Sequence, residues 1–247
     1  GTFTDTMTIG GITLNPHGVV DMFLIKVNPT GNVLWAKSLG GQGLDNATSV
    51  AIDNQNNVYL GGSYFFKAYF DNDSIGNNVT NEQIFIAKFS PGGQLQWLTD
   101  AGGSQDDACT GLSISANRLY MSGVIIGSCT FGGNNVVAAN ADAFIAKYSL
   151  SGTNLWVKKA GGPQNDLGKG LGTDMYGNAY LAGTIFQNAS FGNGITINAG
   201  NFEQLFIARY DSSGNCVWAK KGGNPSVPNI IGGIATDING YSILIGS

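Results

Sequence analysis

The chain of 247 residues holds 12 Lys plus Arg, 16 Asp plus Glu and one His, for a formal net charge of −4, with 43 % hydrophobic residues and 38 Gly. It is too apolar to stay disordered and has no basic stripe to neutralise phosphates, which makes nucleic acid a poor partner. No apolar run reaches the roughly 18 residues of a spanning helix, so neither direct membrane insertion nor an uncleaved signal peptide is expected.

In chain order, MFLIKV at 22–27 leads through the turn NPTGN into LWAKSLGG at 34–41, two short apolar stretches that predict a β-hairpin. SVAIDNQNNVYLGG at 49–62 then reads as two strands about an Asn-rich turn. After a longer segment opened by Phe70 the pattern starts again: IFIAKF, SPGGQ and QWLTDAGG, then GLSISANRLYMSG at 111–123. AFIAKY, LWVKKAGG and GLGTDMYGNAYLAG supply a third copy, and LFIARY, VWAKKGGN and GIATDINGYSILIG a fourth.

The tryptophans measure the period. Trp35, Trp97, Trp156 and Trp218 are 62, 59 and 62 residues apart, and 12 residues before each stands Phe23, Phe85, Phe144 or Phe206. One structural unit is therefore copied four times. Each copy is a four-stranded meander, and Phe3, Phe70, Phe131 and Phe191 are expected to open its longest loop, packed as irregular cover or a short extra strand. The fold class is all-β, a β-propeller of four-stranded antiparallel blades of about 61 residues, with an open row of sheets as the rival. The chain starts before strand three of one unit and ends after strand two of another. The expected ring is thus a single domain over 1–247 with four blades, the last shared between the N- and C-terminal segments. The alternative is a four-repeat portion of a larger propeller.

The pattern F-[IL]-[AI]-[KR]-[YFV], G-x-x-x-W, GG-x-x-x-D and D-x-x-G-N-x-Y-x-x-G, best kept from Phe144 to Gly183, resembles the SBBP family, the seven-bladed β-propeller repeats of extracellular proteins of Bacteroidota and other bacteria. Arg118–Leu119 in a shortened turn and Ile243 in place of Tyr59, Tyr120 and Tyr180 depart from it. The resemblance implies a secreted or cell-surface architecture, often in larger proteins with sorting domains such as those of type IX secretion, and no common enzymatic activity. Neighbouring domains of a larger secreted protein are partners it implies.

Asp45, Asp107 and Asp166 follow the GG pair at equivalent places, with Asn229 in the last unit. They either converge on a cation such as Ca2+ through oxygen ligands or satisfy turn N–H groups, and the second reading is preferred because no unit has the dense oxygen pattern of an EF-hand. Asp21 and Asp142 alternate with Gln83 and Gln204 before the Phe strand and carry the same structural reading. Asp53, Asp174 and Asp237 precede Asn/Gly turns; Glu82 and Glu203 occur in two units only; His17 has no Ser, Cys or metal partner. No catalytic or cofactor-binding set is expected. Cys109, Cys129 and Cys216 form no CxxC pair, and a 109–129 disulfide is left open.

The four Trp residues and Phe23, Phe85, Phe144 and Phe206 are read as packing, since copying at every unit is what packing requires. Segments that vary between units are the better candidates for recognition: Asn15–His17, Phe65–Tyr69 with Phe66, Ile125–Cys129 and Asn224–Asn229. Asp5–Thr6–Met7 and Asp73–Ser74–Ile75 look like the D-[ST]-aliphatic O-glycosylation signal of exported Bacteroidota proteins, making Thr6 and Ser74 attachment candidates in loops read as equivalent. The sequence-level expectation is a noncatalytic surface propeller serving adhesion, structure or protein interaction, its partner another surface protein or a glycan. A lectin-like module and, more distantly, a glycan-active hydrolase are the alternatives.

Overall fold

The structure is a computed structural model that describes residues 1–224, 226–227 and 229–246, with the backbone only at 77–79. Every named element is a strand. The N-terminal part contains β1 (Thr2–Phe3), β2 (Met7–Ile9), β3 (Ile12–Leu14), β4 (Asp21–Val27) and β5 (Val33–Gly41). Two complete units follow: β6 (Asn46–Ile52), β7 (Val58–Phe70), β8 (Asp73–Phe89) and β9 (Leu95–Gly103), then β10 (Ala108–Ser115), β11 (Arg118–Phe131), β12 (Asn134–Ser149) and β13 (Asn154–Ala160). The third complete unit holds β14 (Leu167–Thr173), β15 (Ala179–Ile185), β16 (Asn188–Gly192), β17 (Ile195–Asn198), β18 (Gln204–Tyr210) and β19 (Cys216–Gly222). The last two strands are β20 (Ile231–Thr236) and β21 (Ser242–Gly246).

Each complete unit is an antiparallel meander whose second and third strands run on into a long hairpin. Its tip pairs with the fourth strand of the preceding unit: Gly40 and Gly41 oppose Tyr69 and Ala68, Gly103 opposes Cys129, and a bridge joins Gly161 to Ser190. The segment expected as a loop is therefore a β-extension that ties unit to unit. Phe70, Phe131 and Phe191 at the tips turn inward onto Phe85, Phe144 and Phe206 with ring centroids 4.9, 4.9 and 5.1 Å apart. Burying each such ring stabilises by roughly 1.5–3 kcal/mol.

Register corrects one alignment. Gly1 bonds Phe23 through both backbone groups, as Gly62 opposes Phe85, Gly123 opposes Phe144 and Gly183 opposes Phe206. Phe3, facing Asp21, thus takes the place of Tyr64, Ile125 and Ile185, and Ile9, facing Ile12 as Phe70 faces Asp73, fills the hairpin-tip position expected of Phe3. Spacing agrees with the register: Ile9 stands 14 residues before Phe23, as Phe70, Phe131 and Phe191 stand 15, 13 and 15 before their partners, whereas Phe3 stands 20 before it. By the same register Ser74 pairs with Tyr69 in its hairpin whereas Thr6 precedes β2, so these two hydroxyls are not equivalent.

Successive sheets stack face to face with a hydrophobic cluster in each gap, and β6, β10, β14 and β20 lie side by side. A latch repeats between neighbours. The indole N–H groups of Trp35, Trp97 and Trp156 donate to the carbonyls of Pro91, Leu150 and Ser212 at 3.1, 3.1 and 3.4 Å, in the strand 3–4 turn of the next unit. Lys26, Lys88 and Lys147 donate to the same three carbonyls. Glycine is needed where the indole lands: a Cβ on Gly93, Gly152 or Gly214, all at φ of 84–90°, would stand 2.9–3.2 Å from a Trp ring. The packing role expected of the tryptophans is this latch, and of the repeated phenylalanines only Phe23 is partly exposed.

β20 and β21 form a sheet of their own and β4 pairs with β1 and β5, so among the described residues no strand pair joins the two ends. The cysteines are buried free thiols; Cys129 donates to Asp107 and is not bonded to Cys109.

Candidate functional site

Where a chain of short strands must turn sharply, buried N–H groups need acceptors. Asp45 accepts the N–H groups of Gly41 and Phe65 at 2.6 and 3.3 Å, Asp107 those of Gly103 and Ile126 at 2.8 and 2.9 Å, and Asp166 those of Gly162 and Phe186 at 2.6 and 2.8 Å. Asn229 does the same for Asn224 and returns its amide N–H groups to three carbonyls, Glu203 among them. These side chains clamp the GG turn of one unit to the bend of the next strand. Among the described residues they gather into no group of three metal-binding side chains.

In two units the clamp faces a second carboxylate. A Cβ on Gly40 would stand 2.4 Å from Asp21 Oδ1 and 2.7 Å from Asp45 Oδ2, and one on Gly161 would stand 2.0 Å from Asp142 Oδ1 and 2.8 Å from Asp166 Oδ2. Asp21 Oδ1 and Asp142 Oδ1 are buried without a hydrogen-bond partner. Burial, only partly offset by the donated N–H groups and reinforced by the facing aspartate, pushes Asp45 and Asp166 up to about 6. Gln83 and Gln204 hold the facing position in the other units and there donate to carbonyls.

The turn aspartates are structural caps. Asp53 accepts the N–H groups of Gln55 and Asn57 and the Tyr59 hydroxyl, and Asp174 accepts those of Tyr176 and Asn178 and the Tyr180 hydroxyl. Where the second unit lacks this Asp, Ala116 and Asn117 turn at φ 47 and 56°.

The variable-segment candidates divide. Ile125 is fully buried in the core between two sheets and Asn229 is a clamp, so neither presents a surface. Their variation reflects packing. Asn15, His17 and Asn224 are exposed, Phe65 is half-buried, and Phe66 and Tyr69 are 39 and 44 % exposed around a small cavity of about 80 Å³. Contrary to the expectation that it has no Ser partner, His17 Nδ1 stands 3.3 Å from Ser38 Oγ, and it lies 3.8 Å from Asp21 Oδ2. Thr6 is exposed and Ser74 half-buried.

A cleft of about 660 Å³ lies elsewhere, between Asn140 of β12, the β13–β14 turn, and the segments that follow β15 and precede β18. Phe186, Phe202, Glu203 and the amides of Asn140, Gln164, Asn165 and Asn201 line it. Its walls are fixed from behind: the clamp Asp166 holds Phe186, Glu203 takes the Thr184 hydroxyl, and Asn140 donates to Pro163. Sequence reading missed it because each contributor lies outside the segments singled out as variable. A signal was there: the positions of Phe186 and Phe202 carry Phe65 with Asn81, and Ile126 with Asn140, in the two preceding units.

No family model matches the chain. It is 25 % identical over 184 residues to a WD repeat-containing protein of Acanthamoeba polyphaga mimivirus, which covers 64 % of this chain and 13 % of that protein. It is also 25 % identical over 157 residues to the Regulatory protein FlaEY of Caulobacter vibrioides, covering 60 % of this chain and 16 % of the relative. The chain thus spans a small part of the curated relatives it matches. Together with the strand pairing, the likeness makes it an all-β repeat protein.

Proposed function

We propose that the chain is a noncatalytic recognition module of an extracellular or bacterial surface protein, which presents the cleft around Phe202 on a rigid stack of β-units. The observation that carries this is the cleft itself, with Phe186, whose backbone N–H the clamp Asp166 holds, beside an exposed Phe202 at a position that is Asn in the two preceding units. Surface location rests on the SBBP resemblance and the D-[ST]-aliphatic motifs. Cross-linked capture from cell-envelope material, with glycans and proteins identified together, tests the reading. Species recovered with the native chain are expected to be lost with Phe202→Asp; equal recovery by both counts against the cleft.

We further propose that the units form a propeller closed by the two chain ends. Gly246 falls on the repeat position that Gly1 already fills opposite Phe23, so in a closed ring β21 up to Ile245 would line β4 from Val27 to Leu24 and β1 would continue the same strand from Gly1, with Gly246 displaced. Ile243 and Ile245 at one end and Val50 and Ile52 at the other are 54–71 % exposed, and closure would cover them. Trp218 and the uncovered Gly31 are the two halves of a fourth latch.

A further inference from the structure

Resting on the recognition reading, we infer that the cleft between the second and third complete units binds a neutral pyranose residue of an oligosaccharide. A pyranose presents an apolar C–H face and an edge of hydroxyls that both donate and accept. Phe202, 43 % exposed, and half-buried Phe186 offer the ring surface for the first. The side-chain amides of Gln164 and Asn201, with the groups that Asn140 and Asn165 do not spend on Pro163 and Ala141, supply the second, an amide carrying both donors and an acceptor on one planar group.

Charge narrows the class. Glu203 lines the cleft and no Lys or Arg does, in a chain of net charge −4, so sulfated or sialylated sugars and nucleotides meet repulsion without a compensating cation. A volume of about 660 Å³ falls in the usual range of small-ligand sites. Preorganisation comes from the repeat: Phe186 is held by Asp166 at 2.8 Å, and the Glu203 carbonyl accepts Gln204 and Asn229 at 3.1 and 2.8 Å. A packing role does not account for Phe202. Its position carries Asn81 and Asn140 in the two preceding units, where Phe186 is matched by Phe65 and Ile126, so the exposed second ring is peculiar to this junction.

The probe is a panel of neutral hexose and N-acetylhexosamine oligosaccharides together with sialylated and sulfated forms of the same cores, followed by calorimetry on the best binder. Neutral forms are expected to bind and acidic forms of the same core to be rejected. Phe202→Ala is expected to weaken binding at least tenfold with an unchanged melting temperature, and Phe66→Ala, at an exposed ring elsewhere, to leave it unchanged. Failure of every neutral glycan to bind the folded chain, or equal binding by Phe202→Ala, overturns the sugar assignment. If envelope capture still depends on Phe202 in that case, the recognition reading survives with a protein partner; if it does not, both fall.

Discussion

Asp21 and Asp45 set a carboxylate against a carboxylate in a site closed to water, with Asp21 Oδ1 left unpartnered. Because burial and the facing charge raise Asp45 from its ordinary value to about 6, the folded chain binds a proton there that the unfolded chain releases near pH 4. Stability from this group is therefore full below about pH 4 and is lost as pH rises to about 6, and Asp166 acts in the same sense. Asp21→Asn keeps an acceptor for the N–H groups of His17 and Gly18 and turns the orphan oxygen into a donor aimed at Asp45. Denaturant melts are expected to show a gain of about 1 kcal/mol at pH 7.5 and a flatter pH profile between 4 and 6. The parallel change at Asp142 should not stabilise, since Lys159 at 2.8 Å already neutralises that carboxylate. These pairs were visible in the sequence only as equivalent positions. That Asp21 and Asp45 meet, and that Asp45 spends both oxygens on backbone N–H groups, depends on the hairpin tip crossing to the previous sheet, which spacing does not reveal.

Among the elements, the hairpin of strands two and three is fixed by a glycine under an aromatic ring. A Cβ on Gly123 would meet Phe144 at 2.6 Å and the Ala108 carbonyl oxygen at 1.9 Å, and Gly62 and Gly183 are as tightly covered. Gly123→Ala is expected to cost more than about 4 kcal/mol and to be read as loss of the cooperative thermal transition, whereas Gly133→Ala, in open space at a turn, should leave it in place. Strand existence, the four-fold period and the Phe–Trp spacing were legible because alternation and turn residues are local properties of the chain. The hairpin extension was not, because its pairing partner lies in another unit. The place of Phe3 was legible, since Ile9 keeps the repeat's spacing to Phe23 and Phe3 does not; the aromatic ring drew the eye to the wrong residue.

For the molecule as a whole, the arrangement of the ends is the open variable. If the ring closes with four units, Val27 and Ser242 become cross-strand neighbours, as Tyr210 and Ala179 are within the third complete unit. A Val27→Cys, Ser242→Cys chain treated with a short bismaleimide is expected to yield an internally linked monomer, the native thiols being buried. Linkage between molecules alone, or none, would instead mean that the units belong to a larger ring. The latch gives the stack of units a direction. Each Trp and its neighbouring Lys grip the turn that follows and nothing in the latch grips backwards, so a tug on the chain meets a different first resistance at its two ends. Pulled from β21, the last sheet gives up, among the described residues, hydrogen bonds only at the Asn229 clamp on Glu203 and from the Met175 backbone to Ile238; pulled from β1, the first must tear Trp35 from its socket. A protein anchored at one terminus and loaded at a distant site would therefore yield in a set order, one unit at a time.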